Sequence, residues 1–379
     1  MMPKYDFLIV GGGIFGIYAA LFLAEQHDQR VLLLEKETAL LKKASVVNQA
    51  RLHGGYHYPR SVATARMSDE NKARFTADHR DFILFDFEKY YAIDRFSSLT
   101  DAAQFERFCA YIGIPCDRVA DHPLFNYHRL EAVYKTVEYT FDPILIAQYY
   151  RERLLAEHRI EVRMGTRVQA AGMAGTEWEV TLERAGTGEA STVRARQVIN
   201  ATYSATNAVN ALFGQPPIAL MHEITEMAFV TSPQLANTGL TIMDGPFGSI
   251  MPYGKSGLLS LSSVPYTHHK VSYEAAPVFD CQARRSDCSP GAPAICTGCP
   301  VVPPSNYAKM KAQIMQYLSS RVELHYFTST YTIKSKLQAS YIDDGRPTEI
   351  SVMRRAPHFY CIFAGKINSI YEIEKVLEL

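Results

Sequence analysis

YDFLIVGGGIFGIYAALFLAEQHDQRVLLLEKE, residues 5–37, reads as a strand, a tight turn, a helix and a second strand with no linker between them. Tyr5 to Val10 is short, apolar and β-prone, and Gly11, Gly13 and Gly16 follow it at GxGxxG spacing. Gly11 permits the turn, Gly13 lets backbone approach a pyrophosphate, and Gly16 lets helix and strand pack closely. Ile17, Ala20, Leu21 and Ala24 recur at i, i+3, i+4 and i+7, the buried stripe of a helix lying on a sheet. The next strand, Val31 to Leu34, ends in Glu35, 19 positions after Gly16, where a carboxylate can accept both ribose hydroxyls of an adenosine. An ordinary βα turn would explain the glycines but neither the helical stripe nor the acid. The stretch predicts a Rossmann-like α/β unit for NAD or FAD, and an acid in place of an arginine at position 35 disfavours NADP.

With 379 residues the chain exceeds what one core serves, so two domains are expected. Its 39 basic and 39 acidic residues cancel, leaving no field to steer nucleic acid or an anionic membrane, and small-molecule partners follow. No apolar stretch approaches the roughly 20 residues of a membrane span. The first strand begins at Tyr5, which leaves no room for a signal peptide, and a cytoplasmic protein is expected. Seven cysteines in so long a chain do not suggest a disulfide framework.

Beyond Glu35, ALLKKASVVNQARLHGGYHYPRS (39–61) shows no sustained periodicity and reads as a long loop, the kind that is usually functional in a compact domain. It gathers Arg51, His53, Tyr56, His57, Tyr58 and Arg60 around Gly54 and Gly55. Glu35 followed by RLHGGYHYP (51–59) resembles the flavin-contacting loop of the D-amino-acid oxidase-like FAD-dependent oxidoreductases. It is most similar to the branch of glycerol-3-phosphate dehydrogenases and L-2-hydroxyglutarate oxidases. Two later passages extend the resemblance. A helix opened by Asp142-Pro143, a strand, a small meander through Ile160–Val168, Glu177–Leu182 and Thr192–Ala195, and then VINAT (198–202) resemble the family's second pass through its FAD domain. Thr202 and Tyr203 stand where the family more often has a glycine. DGRPTE (344–349), an apolar strand through Phe363 and Gly365 opening a last helix resemble its C-terminal passage over the flavin pyrimidine.

The resemblance implies non-covalent FAD held by Gly11, Gly13, Ile14, Phe15, Gly16, Glu35, Lys36, Ser45, Arg51, His53, Gly54, Val168, Ala201, Thr202, Gly365, Lys366 and Ile367. It also implies a discontinuous FAD-binding domain (1–87, 139–215 and 331–379) and an α+β substrate domain on an antiparallel sheet (88–138 and 216–330). A helix or two is expected from Ser61 to about Tyr90, and Ser98 with Asp101 fits a capping box. Tyr90, Tyr91, Tyr127 and Tyr134 suit either a cavity wall or half-buried core. On the sheet, Met251, Tyr253 and the His222/Glu223 pair are candidates to line the pocket. DCQARRSDCSPGAPAICTGCPVVPP (280–304) lies in an insertion, 279–304, and its Cys281, Cys288, Cys296 and Cys299 could hold a metal. Only the last two form a CxxC, and the composition otherwise suits a flexible surface segment dispensable to the chemistry.

Flavin would carry the redox chemistry and the protein would supply orientation and a base. The reaction implied is hydride removal from a CH–OH or CH–NH carbon of a small hydroxy or amino acid, or related amine, to flavin N5. Oxidising an alcohol requires loss of its hydroxyl proton, for which His53 or His57 is suited, whereas a neutral amine needs no such base. Arg51 and Arg346 are the candidates to fork onto a substrate carboxylate. The electron acceptor, whether oxygen, a quinone or a protein, is open. So are two alternatives, a nicotinamide-linked dehydrogenase and a flavin-binding protein without turnover.

Overall fold

The computed structural model describes residues 2–62, 65, 71–338 and 349–378. Its first sheet has a parallel centre in the order β9 (Ile160–Met164), β2 (Val31–Glu35), β1 (Lys4–Val10), β12 (Ala190–Asn200) and β20 (His358–Phe363), with β19 (Glu349–Arg355) antiparallel at the edge. β10 (Thr166–Ala174) and β11 (Glu177–Arg184) form an antiparallel meander that meets the first half of β12, while β20 pairs with its second half. Alternation in β1 sends Phe7 and Ile9 to one core and Leu8 and Val10 to the other. The first core is closed by helix α1 (Ile14–His27), by helix α4 (Pro143–Ala156) through Ile146 and Tyr150, and by a C-terminal 3₁₀ segment, Ile367–Lys375. Sheets covered on both faces produce continuous apolar strands such as VLLLE, which is how β2 reads.

The second sheet is mostly antiparallel. It runs β17 (His268–Ser272), β13 (Leu220–Thr231), β16 (Leu259–Ser263), β15 (Gly248–Pro252), β14 (Thr238–Met243), β5 (Glu88–Asp94), β7 (Leu130–Thr136) and β6 (Cys116–Arg118), with β18 (His325–Leu337) also on β13. A small sheet of β3 (Arg51–Leu52), β8 (Tyr139–Phe141) and β4 (Ile83–Leu84) joins the two. Helices α2 (Lys72–Asp78), α3 (Ala102–Ile112), α5 (Thr206–Leu212), α6 (Val264–Thr267) and α7 (Tyr307–Ile314) complete the chain. The expected class holds: a Rossmann-like α/β unit with a second α+β unit on an antiparallel sheet.

Several local expectations change. The helix expected to run to Tyr90 ends at Asp78, and β4 and β5 follow a 3₁₀ turn, because Tyr90 and Ala92 face one core and Tyr91 and Ile93 the other. The capping box sits three residues later, with Asp101 accepting from the Gln104 N–H at 2.7 Å and Gln104 returning the bond. β18 crosses position 331 within the second sheet, so the chain returns to the first unit only after Leu337. Gly172 lies inside β10, leaving Gly175, Gly186 and Gly188, all at positive φ, as the turns. The last helix is 3₁₀.

Gly16 shows why the opening motif is obligatory. A Cβ there would stand 2.0 Å from the Gly11 carbonyl oxygen, a backbone atom that cannot step aside. Gly16→Ala is expected to lower stability by about 1–3 kcal/mol, read as the denaturant midpoint of cofactor-free protein; an unchanged midpoint would mean α1 does not seat on β1 this closely.

Candidate functional site

The β1–α1 turn faces a cleft of about 460 Å³. Gly11 holds φ +115°, and a Cβ on it would meet the Ala201 carbonyl oxygen at 2.6 Å, so the two crossings of the sheet touch here. At Gly13 a Cβ would meet only the Ser45 hydroxyl, at 3.3 Å, because this glycine looks into the cleft. α1 starts there with no cap from the Gly13 N-cap position and no acid in its first turn, which leaves all but one of its N-terminal amides to an anion. The exception, Ile14 N–H, donates to Ser45 Oγ at 3.1 Å. Glu35 is fixed by two backbone amides, Gly12 N–H onto Oε2 and Glu37 N–H onto Oε1, each at 2.9 Å. Each oxygen keeps a lone pair for a ribose hydroxyl. Val168 and Thr202 line the same cleft.

A second cavity, about 600 Å³, adjoins the first through Gly13, Ala44, Ser45, Ala201 and Tyr203, so the two make one elongated groove. His53, His57, Tyr58, Arg60 and Lys366 form part of its wall. Behind that wall lies Glu138, whose carboxylate is fully buried. It accepts from Tyr91 Oη at 2.9 Å and Gly54 N–H at 3.3 Å, and lies 3.6 Å from Arg51 Nε and 3.8 Å from His53 Nδ1. Arg51 donates from one terminal nitrogen to Thr241 Oγ1 at 3.1 Å and to Ser249 Oγ, which ties β3 to the second sheet. Lys89 reaches the same Thr241 hydroxyl from the other side, and burial, reinforced by Arg51, pushes its amine well below the usual lysine range. Burial, then the Glu138 charge, pushes Tyr91 well up. Across the cavity, Glu223 pairs with Lys336 at 2.9 Å and with His268 at 3.1 Å. At another point of the wall Arg60 grips Asp244 with two nitrogens.

Residues 6–271 match the family model for FAD dependent oxidoreductases, DAO. The chain belongs to the DAO family of FAD-dependent oxidoreductases. It is 26% identical to the FAD-dependent monooxygenase FPY4 of Fusarium mangiferae over 376 residues, 98% of this chain and 90% of that one. A shorter match, 36% over 83 residues, links it to L-2-hydroxyglutarate dehydrogenase of Escherichia coli (strain K12), covering 19% of this chain and 20% of that one. Glycine oxidase of Geobacillus kaustophilus superposes with a TM-score of 0.68 at 16% identity, over 97% of this chain and 91% of its own. L-α-glycerophosphate oxidase of Mycoplasma pneumoniae, a structure with FAD bound, superposes with a TM-score of 0.69 at 14% identity, over 99% of this chain and 94% of its own. These structures share the fold.

The groove of this DAO-family enzyme has the length and the backbone donors that FAD would need. The helix N-terminus, the anchored Glu35 and the bare backbone at Gly13 suit its adenosine and pyrophosphate, and the second cavity is the continuation a flavin ring requires. Gly11, Gly13, Glu35, Lys36, Ser45, Val168, Ala201 and Thr202 line the cleft, and Ile14, Phe15, Arg51, His53, His57, Gly365, Lys366 and Ile367 the cavity. Gly16 and Gly54 stand behind the lining. Arg51 is already engaged with Thr241, Ser249 and Glu138, so it positions the wall, and its fork is not turned to a substrate carboxylate. Tyr253 donates its hydroxyl to the Val46 carbonyl at 2.6 Å, packs on Phe229 and lines neither cavity. His222 and Met251 are likewise buried outside the lining, and of the four tyrosines first considered Tyr90, Tyr91 and Tyr134 are core. Arg346 lies outside the described residues.

Two functional groups escape sequence reading. Glu138 meets its partners across 47 and 84 positions, and nothing local marks it. Asn200 had a signal, the asparagine of VINAT. It is fully buried, donates to Thr206 O and Asn210 Oδ1, and accepts from Thr202 N–H and Oγ1, which sets the turn that touches Gly11. Tyr203, where the family more often has glycine, holds φ +54°, a conformation unfavourable to a side chain. Its hydroxyl offsets this by donating to Ser335 O at 3.0 Å and accepting from Ser335 N–H at 3.1 Å, while its ring stacks on Phe363.

Glu35→Ala removes both ribose acceptors and the tether on Gly12. FAD affinity is expected to fall about 10- to 100-fold, following the roughly 1.5–3 kcal/mol of a hydrogen bond to a charged group. Titration of cofactor-free protein with FAD reads this directly, and unchanged affinity would remove Glu35 from the ribose site.

Proposed function

We propose that this chain oxidises the CH–OH carbon of a small hydroxy acid. The observation that carries the reading is His53 on the cavity wall, 3.8 Å from the buried carboxylate of Glu138. A histidine beside a buried carboxylate is suited to take the hydroxyl proton, and it is needed for an alcohol and not for a neutral amine. Bound FAD supplies the acceptor for the hydride, without a covalent link to the chain. The wall also carries more cations than acids: Arg51, Arg60, Lys334, Lys336 and Lys366 against Glu223 and Asp244. Glu138 offsets Arg51 from behind. The remaining surplus favours a substrate that is an anion. The local match to an L-2-hydroxyglutarate dehydrogenase supports the same class.

An anaerobic screen tests this. Enantiopure 2-hydroxy acids and the matching amino acids are added to the FAD-loaded protein, and loss of the yellow flavin band is followed. Bleaching by a hydroxy acid at least tenfold faster than by its amino analogue is expected. Faster bleaching by the amine would overturn the substrate class, and a second wall group would then be needed to explain the histidine.

A further inference from the structure

The Cys/Pro-rich insertion is not a loose surface appendage. Phe279 packs on Ile224 and Ile333, with Cys281 and Cys296 against the same cluster. Thr297 latches onto Tyr331, donating to its carbonyl at 3.0 Å and accepting its N–H at 2.9 Å. Between these anchors the chain crosses the dinucleotide cleft, where Ser289, Gly291, Ala292 and Pro293 form part of the lining. The crossing rests on both lips. Lys43 Nζ, on the loop after β2, donates to the Pro293 carbonyl at 2.8 Å, and a Cβ built on Gly291 would stand 3.9 Å from Ala208 Cβ on α5.

We propose that Ser289–Pro293 are part of the FAD site, a strap across the cleft that the cofactor must displace to enter or leave. The other walls of the cleft belong to β1–α1, Glu35 and the loop after it, β10, and the turn and helix after β12. The strap lies outside every helix and named strand and is held by the Lys43 bond, the Thr297 latch and the packing of Phe279, so its opening sets the rate of FAD exchange. Burial pushes the Cys296 thiol up to about 12, which keeps it protonated and slow to react, as suits an anchor. Among the described residues no group of three or more His, Cys, Asp or Glu is placed to hold a metal ion. The strap bears on cofactor retention, whatever the substrate.

The 3.9 Å separation lies within the Cβ–Cβ range of a disulfide. An Ala208→Cys/Gly291→Cys protein is loaded with FAD, oxidised with glutathione disulfide, and checked for the bridge by peptide mass. It is then diluted, and the flavin that passes a size-exclusion membrane is followed over time. The bridged form is expected to lose FAD at least tenfold more slowly than the same protein reduced, whereas Gly291→Cys alone, with the same native thiols, shows no redox difference. Thr297→Val, which releases the latch without touching the cleft, is expected to lose FAD severalfold faster than wild type. Equal release rates for bridged and reduced forms, failure of the bridge to form, or a Thr297→Val protein that retains FAD as wild type does would each overturn the strap.

Discussion

Replacing Glu138 with alanine is expected to cost roughly 3–5 kcal/mol of stability, the range for removing one partner from a buried ion pair. The side chain is fully enclosed, and its carboxylate is the nearest acid to the Arg51 guanidinium and accepts from Tyr91 and Gly54. Without it, Arg51 and Lys89 face each other beside Thr241 with two former donors, Tyr91 Oη and Gly54 N–H, stranded in an apolar setting. Glu138→Gln keeps the volume and an acceptor for Tyr91, and is expected to lose less than alanine does. Denaturant midpoints of the two variants check this. If both unfold with wild type, the network behind the cavity is not the junction of the two sheets.

His53→Ala is expected to slow flavin reduction by about 10²–10⁴-fold while FAD remains bound, the span usual for loss of a positioned base. The side chain lines the cavity and leans on Glu138, whereas the adenosine cleft is formed by other residues, so cofactor content and rate should separate. His57 lines the same cavity, with its ring centroid 5.9 Å from that of His53, and His57→Ala measured alongside separates the two histidines. A rapid-mixing experiment under anaerobic conditions reads the rate, and the visible spectrum of the purified variant reads the cofactor. Wild-type reduction by His53→Ala would remove it as the base.

What the sequence made legible follows the range of the interactions. The GxGxxG turn, the stripe on α1 and Glu35 are local: their meaning is complete within 33 residues, with Gly11, Gly13 and Glu35 on the cleft and the stripe buried in the first core. The Asp142 cap was readable for the same reason, since the aspartate accepts from the Ile144 and Leu145 amides two and three positions on. The flavin end was readable only as a family resemblance, because Arg51, His53, Ala201 and Lys366 meet through pairing of distant strands. Misreadings arose where local and long-range signals conflict. Residues 83–90 have charges at helix-like spacing, but pairing of β5 with β7 and β14 decides their state from Glu88 on. Arg51 looked like a free fork because no feature of the sequence shows that Thr241 and Ser249 arrive to receive it. The insertion looked dispensable because composition reports the absence of a core of its own, and says nothing of the one it packs against.

No helix among the described residues is long and apolar enough to cross a membrane.

The most direct test of the account is the pH dependence of flavin reduction by the hydroxy acid that bleaches it fastest, measured anaerobically for wild type and His53→Ala. In wild type the rate is expected to fall as the pH is lowered, because a protonated imidazole cannot take the hydroxyl proton. In His53→Ala that fall should vanish, leaving a slow rate that is flat over the same range. The same acid-side fall in both proteins would contradict the assignment of His53 as the base and, with it, the reading of the cavity as a site of alcohol oxidation.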